Sequence, residues 1–154
     1  ANSKYDKYEK GEVTLSSSEM SGLQLFRAKC ESCHKEPLLT DMSFRNNGLD
    51  QNFSKDAGRA LISTLPQDSG LFRGPSLRNV VLTYPYMHDG RFRTLEQVLD
   101  HYSQGIIYHP NLDKNLISNG KLGIPLSDEE KQKIISFLHT LTDYTFISNP
   151  IYSE

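Results

Sequence analysis

The sequence predicts an all-α fold of about three main helices joined by long loops, and three observations predict it. Three Ser/Thr-x-x-Glu/Gln boxes each open a run of apolar residues at helical spacing. The interval from Glu36 to Ser76 is crowded with helix breakers and has little regular period. A pair of cysteines three positions apart ends the first helical run, where that interval begins.

Taken in order, residues 1–12 are rich in charge and poor in apolar side chains, which reads as a linker rather than core and leaves 13–154 as the domain. Ser16 and Glu19 form the first capping box, with Leu15 and Met20 placed to staple it, and the apolar stripe runs Met20, Leu23, Phe26 to Cys30. The breakers that follow, from Pro37 through Asn46-Asn47-Gly48 to Gly74-Pro75, predict a loop with one helical turn near Asp56 to Ile62. A loop this long usually has a task, and wrapping a large flat group is one. Thr94-Leu95-Glu96-Gln97 is the second box, with Leu95, Val98, Leu99 and Tyr102 on one face and Gly105 placed to end the helix. Ser127 and Glu130 form the third, leading into Ile134, Ile135, Leu138 and Leu141, a helix of about four turns.

The chain has 154 residues, with 17 Lys and Arg against 19 Asp and Glu, a net charge of −2. These totals give no basic patch for nucleic acid. No apolar run approaches the ~18 residues of a membrane span. Two cysteines are too few for a disulfide scaffold. The start, Ala1-Asn2-Ser3-Lys4, carries no signal region, so an export signal or upstream domain is expected to lie outside this chain.

Cys30-Glu31-Ser32-Cys33-His34 is a C-x-x-C-H motif, the pattern for covalent attachment of a c-type haem. Two thiols at a helix end each add to a porphyrin vinyl group, and the adjacent imidazole ligates the iron. Cys30 and Cys33 are thus the expected thioethers and His34 the proximal ligand. A redox dithiol would sit in a βαβ setting that the sequence does not offer. Zinc would need a fourth ligand at a recognisable spacing, and none is present. Phe26, one turn before Cys30, is a candidate to pack on the porphyrin or simply a core aromatic.

Candidates for the second axial position are Met42, Met87, His88, His101, Tyr102, Tyr108 and His109. Met87 lies in a loop stiffened by Pro85 and turned at Gly90; a thioether there would raise the potential. Tyr102 lies on the apolar stripe of the Thr94 helix, where a phenol needs a partner and ferric iron is one. Residue pattern alone leaves Met87 and Tyr102 level.

Leu25-Phe26-Arg27-Ala28-Lys29 before the motif, Phe44-x-Asn46-Asn47-Gly48, Gly74-Pro75-Ser76-Leu77-Arg78-Asn79-Val80 and Leu82-Thr83-Tyr84-Pro85-Tyr86-Met87-His88-Asp89-Gly90-Arg91-Phe92 resemble the C-terminal haem domain of bacterial dihaem cytochrome c peroxidases and their MauG-like relatives. So do Thr94 to Val98 and Leu126 to Glu130, and the likeness runs from about Tyr5 to Asp143. The resemblance implies one haem c in a relay half, with peroxide reduced to water at an N-terminal haem domain that this chain lacks. Residues 1–12 would then be the link from that domain. The donor would be a small cytochrome c or a cupredoxin.

Tyr102 falls where the peroxidases carry a methionine ligand and the MauG-like proteins a tyrosine, which makes it first choice, with Met87 second. His88 matches a histidine between the two haems. Thr83 and Pro85 match positions whose carbonyls help bind an interdomain calcium. Arg78 and Arg91 are candidate donors to haem propionates. Two other functions stay open: a MauG-like oxidase half with a His/Tyr-ligated haem, and a stand-alone sensor with an open iron site. By itself the chain is expected to relay electrons without turning over peroxide. Haem attachment of this kind places the protein in the periplasm.

Overall fold

The structure, a computed structural model, describes residues 1–152, so the last two positions of the span 13–154 lie outside it. Its helices are α1 Lys4–Glu9, α2 Ser17–Lys29, α3 Ala60–Ser63, α4 Leu95–Asp100, α5 Asp128–His139 and α6 Tyr144–Ile147. Two antiparallel two-stranded ladders join them: β1 Phe44–Arg45 with β2 Phe72–Arg73, and β3 Ile117–Ser118 with β4 Lys121–Leu122. The fold is therefore mostly helical, as expected, although the two ladders make it less than all-α.

All three expected capping boxes are present, with Ser16, Thr94 and Ser127 as N-caps and Glu19, Gln97 and Glu130 closing them. The expected turn near Asp56 to Ile62 is α3, a few residues later. Residues 1–12 depart from the linker reading. Ser3 and Asp6 cap α1 with a fourth box, and Tyr5, only 2% exposed, packs edge-on against Phe137 at 5.5 Å. A single aromatic at a buried position is enough to make this segment part of the core despite its low apolar content.

α2 and α5 form the most extensive helix pair. They meet at Gly22, where a Cβ would stand 1.9 Å from the Lys133 carbonyl oxygen, so no larger residue fits that approach. Around them lies the main core of Tyr5, Leu23, Phe26, Ile134, Phe137, Leu138 and Leu141, joined by Leu95 and Leu99 of α4. Lys131 of α5, itself buried, pairs with Asp100 at 2.7 Å and fixes the C-terminal end of α4.

A second, smaller apolar cluster of Ile106, Leu112 and Leu116 stands apart from the main core, with Tyr102 and Ile124 packed against it. This division of the core positions the candidate site. Among the described residues no helix is long and apolar enough to cross a membrane.

Candidate haem site

Cys30 caps the end of α2, its N–H bonded to the Phe26 carbonyl at 2.7 Å. The N–H groups of Cys33 and His34 both return to the Cys30 carbonyl, at 3.2 and 3.0 Å, so the chain coils into a tight turn directly after the helix. Neither cysteine is in a disulfide. Burial pushes the Cys30 thiol up to about 12, and Cys33 adds to the effect against a smaller opposing influence of Lys29. A redox dithiol works through a thiolate, and this environment keeps Cys30 protonated.

His34 Nδ1 lies 3.2 Å from the Leu39 carbonyl oxygen. A carbonyl only accepts, so Nδ1 carries the proton and the Nε2 lone pair is free for a metal. Burial lowers the pKa of the ring, against the pull of the Leu39 and Pro75 carbonyls. Among the described residues, one group of three His, Cys, Asp or Glu side chains brings its ligand atoms within 4.8 Å of one another, and it is Asp50, His88 and Asp89. Cys30, Cys33 and His34 do not converge on a point as a tetrahedral zinc site requires. The carboxylates of Asp50 and Asp89 both face the Arg91 guanidinium at 2.6 Å, and the His88 ring stacks on Phe72 at 3.6 Å.

Tyr102 follows α4 in a π-helical turn, His101–Gly105. On an ideal helix it would share a face with Leu95 and Leu99. The wider turn instead carries it to the second apolar cluster, while those leucines stay in the main core. The turn is held open from outside: the Ile124 N–H donates to the Tyr102 carbonyl at 2.8 Å. Gly123 lies so close that a Cβ would come within 2.9 Å of the Tyr102 and Ser103 carbonyl oxygens. Such π turns often mark functional positions. Burial raises the Tyr102 pKa, partly offset by a hydrogen bond from the Asn47 side chain; charge at Cys33 or Cys30 would raise it further. The phenol is therefore within electrostatic range of both sulfurs. Burial is the largest influence on the ionisation of Cys30, His34 and Tyr102, and each is half-buried.

Other candidates for the second axial position lie elsewhere or are engaged. Met42 is exposed with its sulfur against Arg73, Tyr108 is exposed, and His109 Nδ1 accepts from the Asn111 N–H at 3.0 Å. His101 Nε2 donates to the Asn47 carbonyl at 2.9 Å. Met87 is half-buried, its sulfur 3.4 Å from Asn47 Nδ2.

Phe26 lies in the main core against Phe137, ring centres 5.0 Å apart, which fits its reading as a core aromatic. Both arginines read as propionate donors are committed within the chain. Arg78 forks onto Asp6 with two 2.9 Å bonds, and Arg91 binds Asp50, Asp89 and the Leu49 carbonyl. Thr83 and Pro85 are exposed on the loop after Leu82.

Arg45, Asn46 and Asn47 also border the site, although in the sequence they stand out only as loop residues within a family-like motif. Arg45 pairs with Asp41 and Asp113, lies within electrostatic range of Cys33, and keeps its buried Nε without a partner among the described residues. An Arg-Asn-Asn run beside a turn glycine was the available signal.

No family model matches the chain. The cytochrome c551 peroxidase of Nitrosomonas europaea is 33% identical to it over 145 residues, 91% of this chain and 39% of that protein. The methylamine utilization protein MauG of Methylophilus methylotrophus is 34% identical over 146 residues, 89% of this chain and 41% of MauG. Among solved structures, a MauG-like protein associated with microbial copper homeostasis matches with a TM-score of 0.82 at 37% identity, covering 99% of this chain and 55% of that one. The chain spans about two fifths of the length of these curated relatives. On sequence and fold together, its homologues are the cytochrome c peroxidases and MauG proteins, and the chain corresponds to one part of those longer proteins.

Proposed function

We propose that the chain is an electron-transferring c-type haem domain, the relay half of a peroxidase-like oxidoreductase. One haem is held through Cys30 and Cys33, with His34 as proximal ligand and Tyr102 as the second. The observation that carries this reading is the divided core, with the cysteine turn bordering the main part and Tyr102 bordering the other. The donor set suits a large flat group, because two thiols and an imidazole that do not converge cannot serve one small ion. The orphaned Arg45 Nε is an N–H of the kind a porphyrin carboxylate satisfies.

Bound there, the haem would supply reversible one-electron exchange at iron. The chain's own residues set its character. The Leu39 carbonyl fixes the His34 ring and its free nitrogen. Tyr102 would hold the iron as a phenolate, having lost its hydroxyl proton, and a phenolate would favour ferric iron and set the potential below that of a thioether-ligated counterpart. In this reading the chain relays electrons from a small cytochrome c or cupredoxin in the periplasm. Peroxide is reduced at an N-terminal haem domain of the longer protein. The exposed residues Thr83 and Pro85 are where an interdomain calcium would sit.

A MauG-like oxidase half is the second reading, favoured by Tyr102 itself and by the 37% identity to the MauG-like protein.

Protein matured with c-type haem tests both assignments. The mass should rise by one haem, and the oxidised protein should lack the weak near-infrared sulfur-to-iron band. Tyr102→Met should introduce that band and raise the midpoint potential. An unmodified mass would overturn the haem, and a sulfur band in the wild type would overturn Tyr102.

A further inference from the structure

We propose that Asn47 is a positioning residue that decides which side chain the iron receives, its amide holding the Met87 sulfur aside and leaving Tyr102 as the ligand. The inference rests on the reading of Tyr102 given above. Asn47 Nδ2 donates to Met87 Sδ at 3.4 Å, which engages one of the two sulfur lone pairs and fixes the direction in which the thioether points. The same side chain is near enough to Tyr102 to work against the burial that raises its pKa, and the Asn47 main-chain carbonyl receives Nε2 of the adjacent His101 at 2.9 Å, so one residue neighbours both candidates.

The frame around Asn47 is fixed from both sides. The Asp113 N–H donates to the Asn46 carbonyl at 3.0 Å, and the Ile107 N–H to the Gly48 carbonyl at 2.8 Å. Asn46 Oδ1 closes the loop on the Gly48 N–H at 2.8 Å, and the Asn47 carbonyl receives His101 Nε2. Asn47 is thereby held against the π turn that carries Tyr102. Met87, by contrast, sits at φ +72°, a region methionine seldom adopts. A strained backbone at this position needs something to hold it; the Gly90 N–H donates to the Met87 carbonyl at 3.4 Å, and the amide–sulfur contact anchors the side chain.

The test uses haem-loaded protein and reads the near-infrared spectrum and the midpoint potential, neither of which a purely structural role would shift in this pattern. Asn47→Leu removes the donor and should bring in the sulfur-to-iron band and raise the potential. Adding Met87→Leu to that variant should abolish the band. Met87→Leu alone should match the wild type in both readouts. Asn47→Asp keeps the shape without the donor and carries the same expectation should the leucine variant not fold. If the wild type lacks the band and the Asn47 variants lack it too, this inference falls and the Tyr102 reading stands. If the wild type already has the band, the Tyr102 reading falls and takes the inference with it.

Discussion

Asp6 and Arg78 are a residue-scale case of a charge turned to structural use. Burial by itself would raise the Asp6 pKa, but hydrogen bonds from Arg78 and Ser3, with the Arg78 charge, outweigh it and hold the carboxyl at about 2. A folded-state pKa below the ordinary carboxylate value contributes stability that is complete above about pH 4 and is lost as pH falls toward about 2. Asp6→Asn should therefore cost about 2 kcal/mol at neutral pH, the scale of hydrogen bonds to a charged group. That deficit should shrink through the pH 4 to 2 window, as measured by urea unfolding at several pH values. A wild type no more stable than the variant at pH 7 would contradict the clasp. The sequence made Arg78 visible as an arginine in a haem-family motif. Its partner, 72 positions away, could not be read from that motif.

At the scale of elements, what could be read was what is local. A capping box is decided by four neighbouring residues, so all three expected helix starts are present where Ser16, Thr94 and Ser127 placed them. The π turn could not be read, because it depends on Gly123 and Ile124, some twenty residues further on, pressing against the carbonyls of Tyr102 and Ser103. Nor could the ladder between Phe44–Arg45 and Phe72–Arg73, whose strands are two residues each and lie across the whole loop. The α2–α5 approach gives a direct test. Gly22→Ala improves helix propensity by about 1 kcal/mol, yet its methyl meets a main-chain carbonyl that cannot move without displacing α5. The net result should be a loss of about 1–3 kcal/mol, in the range of overpacked cores, seen as a lower denaturation midpoint. A variant as stable as the wild type would mean that the helices separate freely.

For the whole molecule, the division of the core predicts that the chain is less stable without the haem proposed for it. A protein carrying Cys30→Ala and Cys33→Ala, which cannot form thioethers, should melt roughly 10 °C or more below the haem-loaded wild type, equivalent to a few kcal/mol for a chain of this size. It should also bind a dye that reports exposed apolar surface. Equal melting temperatures would contradict the expectation. The clasp of α1 has a consequence at this scale too. Arg78, gripped by Asp6, also donates to the Pro37 carbonyl at 2.9 Å, and the neighbouring Leu77 N–H donates to the Leu39 carbonyl, the atom that steers the His34 ring. A mechanical pull on the first helix thus has a short path to the imidazole. A displacement of that helix would therefore act on the orientation of the ring proposed to ligate the iron.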